Sequence, residues 1–235
     1  MLLLAIDSAT PVAGVALVQD GKLLVEATLH GNQRHSVQLM PLIDQVLQQA
    51  ERSVEDLATV AVSIGPGSFT GLRIGLAAAK GLCMGLDIPL VGVSTLQMLA
   101  HNLVYSPGLV CPVIYARKNE IYTALYDCSR DIPHPLCDEQ ALPPQELLGL
   151  VESWREGREL IMVGDGIEPF SQLWDQAFSG YLQQLPISHR SPRAAALADL
   201  AWQQAVAGDY LDYRSVRPVY LRLSEAEYQL GRGEV

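Results

Sequence analysis

The stretch Ser63-Ile64-Gly65-Pro66-Gly67-Ser68-Phe69-Thr70-Gly71-Leu72-Arg73-Ile74-Gly75 joins an apolar run, Val60 to Ile64, to a small-residue segment through a Gly-Pro-Gly turn. Gly65 and Gly67 open backbone angles closed to other residues, Pro66 fixes one dihedral, and Ser68 or Thr70 can cap the amides of a following helix. The spacing predicts strand, tight turn, helix. Such a turn can hold a phosphate, because amides and the helix dipole point the same way. The stretch has neither G-x-x-x-x-G-K-[ST] nor G-x-G-x-x-G, however, and a turn that simply lets a helix pack closely fits it equally well.

Beyond the turn, Gly71, Gly75, Ala78, Leu82 and Gly85 fall on about one-quarter of a helical wheel. Glycine inside a helix costs roughly 1 kcal/mol relative to alanine, so a stripe of this kind implies close approach of another backbone. That backbone is either a partner's or this chain's own sheet. An earlier helix carries the stripe Leu39, Leu42, Ile43, Val46, Leu47, Ala50, with Pro41 expected to bend its first turns. Together, Leu39, Ile43, Val46, Gly71, Gly75 and Ala78 are expected to form or support a helical interface with a partner.

In order, Leu2 to Ile6, Val12 to Val18 and Leu23 to Leu29 read as strands, with Asp20-Gly21 a hairpin turn between the second and third. Ser53-Val54-Glu55-Asp56 resembles a capping box. Leu57 to Ile64 leads to the central turn, a helix runs to about Leu86, and Ile88 to Val93 is a further strand. Strands at Leu109 to Ala116, Ile121 to Cys128 and Pro133 to Cys137 follow. Then come a helix at Pro144 to Trp154, a strand at Leu160 to Val163, and helices near Phe170 to Phe178 and Arg193 to Val206. The pattern is α/β and loosely repeated, like the β-β-β-α-β-α-β unit of actin, sugar kinases and large heat-shock chaperones. Ser106-Pro107-Gly108 suggests a boundary, giving lobes 1–104 and 105–235, the second reduced.

A net charge of −10 among 235 residues argues against binding of a nucleic-acid backbone by this chain alone. No apolar run approaches the roughly 18 residues of a membrane span, and Met1 to Ile6 reads as a buried strand rather than a leader, so a soluble, cytoplasmic protein is expected. Cys83, Cys111, Cys128 and Cys137 form no C-x-x-C pair and read as structural thiols. His30, His35, His134 and His189 show no metal-ligand spacing, and Ser68 lacks a G-x-S-x-G elbow. Asp7 ends the first strand, where actin-like phosphotransferases place a metal-binding aspartate, but Ser8-Ala9-Thr10-Pro11 replaces the glycine-rich phosphate turn. Gly164-Asp165-Gly166 resembles the adenosine turn of that superfamily and is equally a plain turn.

Asp7-Ser8, the Gly65 to Arg73 run, Ala116-Arg117 with Glu120-Ile121-Tyr122, and Tyr220-Leu221-Arg222 occur in an order that resembles the TsaB (YeaZ) family across nearly the whole chain. The resemblance implies an actin-like (ASKHA) fold. It also implies a non-catalytic role in forming threonylcarbamoyladenosine beside the tRNA anticodon. A TsaD-like catalytic subunit and a TsaE-like P-loop ATPase are the implied partners, with tRNA held only through the complex and a homodimer when the chain is alone. In the catalytic relative, an H-x-E-x-H motif binds the metal. Here the helix reads Gln97-Met98-Leu99-Ala100-His101, so no metal, cofactor or catalytic residue is implied. Family members often carry aspartate where this chain has Tyr115, which leaves the Tyr115-Ala116-Arg117 loop without an assigned role. The competing readings are an enzyme, either a metallopeptidase or a small-molecule kinase, and a plain homodimeric binding protein.

Overall fold

The computed structural model describes residues 1–31, 35–183 and 185–222. In its first half, β1 (Leu2–Asp7), β2 (Val12–Gln19) and β3 (Lys22–His30) form a meander. They are followed by α1 (His35–Gln49), β4 (Thr59–Gly65), α2 (Phe69–Leu86), β5 (Leu90–Ser94) and α3 (Thr95–His101). Asp20 and Gly21 both take positive φ, as the tight β2–β3 hairpin requires. The sheet order is β3-β2-β1-β4-β5, antiparallel through the meander and parallel from β1 to β5.

The second half repeats this path. β6 (Leu109–Arg117) and β7 (Glu120–Thr123) are followed by the short β8 (Tyr126–Asp127) and β9 (His134–Pro135), then by β10 (Gln140–Leu142). Next come α4 (Glu146–Arg155), β11 (Leu160–Val163), α5 (Ser171–Ala177), β12 (Leu182–Gln183) and α6 (Ala194–Ala207). The order β10-β7-β6-β11-β12 matches the first sheet strand for strand, with β8 and β9 as an insertion. The expected single strand Ile121 to Cys128 is interrupted, and Leu125 donates its amide to Cys137 Sγ.

Alternation along each strand sets the layers. In β1, Leu2, Leu4 and Ile6 pack under α1 and α2 together with Leu39, Ile43, Val46 and Leu76. Leu3 and Ala5 point the other way, toward Ala194, Leu197, Ala198 and Ala201 of α6. The alanines let α6 lie close: a Cβ on Gly14 would stand 3.1 Å from that of Ala194. Leu96, Leu99 and Ala100 of α3 pack instead with Val110, Ile114 and Val163 of the second sheet, whose far face carries α4 and α5. Each repeat thus ends in a helix that covers the other repeat's sheet, so α6, inside the 105–235 stretch, belongs to the core of the first sheet.

By length and composition α2 can cross a membrane, contrary to the sequence expectation. Its buried residues Gly71, Leu72, Gly75, Leu76, Ala79 and Cys83 face the chain's own interior, and the rest of the helix is half-buried or exposed. After α6 the chain runs back across the first sheet, where Leu211 bridges Leu90 and the Val219 amide bonds Ile64 O at 2.7 Å.

Candidate functional site

A cleft of about 580 Å³ opens where the two repeats meet. One wall holds Thr10, Ser68, Phe69, Thr70 and Arg73, and the other holds Tyr115, Tyr122, Asp165 and Arg222. The turn that feeds α2 is drawn tightly against the end of β1. Ser68 caps α2 by accepting the Gly71 amide at 3.2 Å, while its own amide donates to Ala9 O at 2.7 Å. A Cβ on Gly67 would lie 2.3 Å from Ala9 O, and one on Gly71 only 2.0 Å from Ser8 O. Gly75 is equally close-packed, with Ser8 Oγ 2.4 Å from where its Cβ would be. Ser8 Oγ completes the seam by donating to Gly71 O at 2.8 Å. Carbonyl oxygens therefore stand where a phosphate-binding turn needs vacant amides.

Asp7 is 1% exposed and does not line the cleft. Its Oδ1 accepts from Ser63 Oγ at 2.5 Å and from the Ala9 amide at 3.0 Å, which fastens β1 to β4 and shapes the turn. On the opposite wall, Gly164-Asp165-Gly166 is clamped to β6. Gly164 has φ of +116°, its Cβ position is 2.2 Å from Val113 O, and the Gly166 amide bonds the same oxygen at 2.9 Å. Asp165 accepts the Tyr115 amide at 2.9 Å, and burial pushes its carboxyl above the usual range. The Tyr115-Ala116-Arg117 loop presents Tyr115 to the cleft at 42% exposure, and Arg117 pairs with Glu120 at 2.8 Å.

The residues that the resemblance aligns with a metal motif do not fit a metal. Leu99 is fully buried in the core and Gln97 carries an amide. His101 Nε2 meets Asp199 Oδ2 at 2.7 Å, which ties α3 to α6 and holds the Asp199 carboxyl below its ordinary range. Among the described residues, no cluster of three or more His, Cys, Asp or Glu could hold a metal ion.

The residues expected from sequence to form or support a partner interface lie mostly beneath the surface. Leu39, Ile43 and Val46 are core residues, and Gly71 and Gly75 are spent on the contact with Ser8; Ala78 is half-buried. What α1 and α2 show to solvent is a different set: Val37 (66% exposed) and Met40 on α1, and Ala77, Gly81 and Met84 (70%) on α2. A Cβ on Gly81 or Gly85 would meet nothing within 4 Å.

One further group escaped the sequence reading. The Tyr220 ring stacks on Phe69 at 4.4 Å, Arg73 Nε donates to Tyr220 OH at 2.9 Å, and Arg222 Nε donates to Tyr122 OH at 2.9 Å. The Tyr220-Leu221-Arg222 run was visible as a motif, but its partners lie more than 90 residues away.

Two matched sheets with exchanged terminal helices and a cleft between them define an actin-like, two-lobed protein. An activator of 2-hydroxyisocaproyl-CoA dehydratase from Clostridium difficile, solved with ADPNP, shares that fold at a TM-score of 0.54 and 10% identity, covering 94% of this chain and all of that one. YeaZ from Pseudomonas aeruginosa is much nearer, with a TM-score of 0.78 and 26% identity over 94% of this chain and 99% of that chain. The family model TsaD, described as tRNA N6-adenosine threonylcarbamoyltransferase, matches residues 27–229. The tRNA threonylcarbamoyladenosine biosynthesis protein TsaB of Bacillus subtilis is 32% identical over 234 residues, 97% of this chain and 96% of its own length. The chain belongs to the TsaB (YeaZ) family.

Proposed function

We propose that this protein is a non-catalytic, cytoplasmic subunit that activates a TsaD-like transferase, which together with a TsaE-like ATPase installs threonylcarbamoyl on the tRNA adenosine beside the anticodon. The observation that carries the reading is the sealed turn. Asp7 Oδ1 is engaged by Ser63 and Ala9, and the amide of Ser68 by Ala9 O, so neither is offered to a phosphate or its metal in the cleft. The His101–Asp199 pair and buried Leu99 remove the transferase's metal position as well. The relatives named for tRNA threonylcarbamoyladenosine biosynthesis support the pathway.

The docking face of the reading is the solvent side of α1 and α2, with Val37, Met40, Gly81 and Met84 in contact and Leu39, Ile43, Val46, Gly71 and Gly75 holding them from beneath. A homodimer of the isolated chain uses the same face, and tRNA is held by the assembled complex. A subunit that binds only the competent conformation of its partner shifts that partner by its differential affinity, and about 10⁴-fold preference turns a mostly inactive enzyme mostly active. In a reconstitution with threonylcarbamoyl-adenylate supplied and labelled threonine followed into tRNA, transfer rises from background to a plateau as this chain is titrated in. Asp7→Ala or His101→Ala chain that still binds, yet supports no turnover at saturation, would falsify the non-catalytic role.

A further inference from the structure

The charge of this chain is unevenly placed. It has 26 acidic residues against 16 basic ones, yet α2 contains no acid at all, only Arg73 and Lys80. The segment 213–222 is likewise free of acids and carries Arg214, Arg217 and Arg222. Folding lays the two against each other: Lys80 Nζ donates to Val216 O at 2.8 Å, and Arg73 holds Tyr220 OH. Arg73, Lys80 and Arg217 thus line one groove of a strongly acidic protein, with Arg222 beyond it in the interlobe cleft. Among the described residues, none of Arg73, Lys80, Arg214 or Arg217 meets a carboxylate within 4.0 Å, whereas Arg222 pairs with Glu120 at 3.7 Å.

The face is shaped as well as charged. A groove of about 390 Å³ is lined by Arg73, Lys80, Arg217 and Tyr220. Arg73 and Lys80 are seven residues apart and so stand about 10 Å from each other along the helix. Arg217 is held in place by its Nη1, which donates to Ser215 O at 2.8 Å and Val216 O at 3.0 Å. Between this groove and the interlobe cleft stands the Tyr220 ring, 38% exposed and fixed by Phe69 and Arg73. Spaced cations around an anchored aromatic ring are what a single-stranded nucleic acid meets on proteins that take its phosphates and stack its bases.

We propose that the face formed by α2 and residues 213–222 binds an unpaired stretch of the tRNA substrate, with phosphates at Arg73, Lys80 and Arg217 and a base on Tyr220. The proposal rests on the functional reading above. It assigns the RNA contact to a face that overall charge conceals, and the net repulsion of the remaining surface keeps binding weak without the catalytic subunit.

The test is fluorescence anisotropy of a labelled, unmodified tRNA transcript with the full-length chain, alone and with the TsaD-like subunit, across salt from about 20 to about 200 mM. Three to four phosphate contacts give a slope of log K against log salt of about −2 to −3. Arg73→Ala combined with Arg217→Ala lowers the steepness by about 1.5, whereas Lys22→Ala with Arg130→Ala, the same charge change elsewhere, leaves it unaltered. Tyr220→Leu weakens binding roughly tenfold, and circular dichroism verifies the fold of each variant. Equal slopes for the ridge and control variants overturn the proposal, as does failure of the wild-type chain to bind tRNA at the lowest salt in both settings. Ridge variants that lose the TsaD-like subunit without RNA, yet keep tRNA affinity, assign the face to a protein and also overturn it. Transfer that proceeds without this chain would refute the activator role but would not alter the ridge slopes, so the two failures are distinguishable.

Discussion

Gly71→Ala and Gly81→Ala lie in one helix, ten residues apart, and should move stability in opposite directions. A Cβ at 71 would stand 2.0 Å from Ser8 O and must reach about 3.4 Å for an ordinary contact, a separation of about 1.4 Å. Ser8 cannot retreat by that amount. Its hydroxyl holds Gly71 O, Asp7 before it is bonded to Ser63, and Ala9 after it accepts the Ser68 amide. Overpacking against backbone therefore falls at the upper end of the usual range, about 3 kcal/mol, from which alanine's better helix propensity returns about 1. The net loss is about 2 kcal/mol. At position 81 the same methyl meets nothing within 4 Å, and only the propensity gain of about 1 kcal/mol remains. For a chain of this size 1 kcal/mol moves Tm by about 2–4 °C, so the two variants should differ by roughly 6–12 °C. Thermal melts followed by circular dichroism, with urea m-values confirming an unchanged transition, measure this directly. Gly71→Ala melting at or above the wild type would show that the helix does not rest on the Ser8 carbonyl, and the sealed turn would lose its principal support.

Other consequences are read more quickly. Burial raises the Glu139 carboxyl, whose Oε1 accepts from Ser94 Oγ across the two repeats. A raised folded pKa means that this group's contribution is fully present below the unfolded carboxylate range and is lost as pH rises through the folded value. Glu139→Gln keeps the acceptor without the charge, so its Tm should exceed the wild type's at neutral pH and the gap should close on acidification; a gap independent of pH removes the assignment. Burial also lifts the thiols, Cys83 to about 11 and Cys111 and Cys128 to about 12. A thiol reagent at mild alkaline pH should modify half-buried Cys137 first and reach the other three only on unfolding, as peptide mapping by mass spectrometry would show. The lowered Asp199 carboxyl contributes stability above the unfolded carboxylate range that is lost as pH falls through its folded value, so Asp199→Asn should lower Tm near neutrality and the gap should close on acidification; a gap independent of pH removes the assignment.

Much of the scaffold was legible because local rules suffice for it. The alternation in Leu2 to Ile6, the Asp20-Gly21 hairpin, the capping box at Ser53 to Asp56 and the Ser68 cap each depend on a few adjacent residues. The identity of the surface that a stripe meets does not. Gly71 and Gly75 announced a close approach correctly, but its object, Ser8, lies more than 60 residues away, and a helical wheel carries no information on which neighbour fills the groove. The exchange of α3 and α6 between sheets was hidden for the same reason, since Ala-rich α6 has little sidedness of its own. β10 and β12, of three and two residues, are too short for any periodicity to register. The basic ridge left a trace that composition averages away: two segments without a single acid, 127 residues apart at their nearest ends.

The contacts that close the turn at α2 are also the contacts that make it rigid. A nucleotide-binding turn must keep amides and a carboxylate unsatisfied toward solvent, which weakens the fold wherever ligand is absent. Here Asp7 closes on Ser63, the Ser68 amide on Ala9, Ser8 on Gly71 and His101 on Asp199, so each of these groups satisfies a neighbour. The result is a firm platform under α1 and α2. With their inner faces fixed by Gly71, Gly75, Leu39 and Ile43, α1 and α2 present the outer residues Val37, Met40 and Met84 on a backbone with little ordering left to lose. Freeing one of these groups by substitution would therefore not open the turn to a phosphate, because the adjoining hydrogen bonds would have to be broken together.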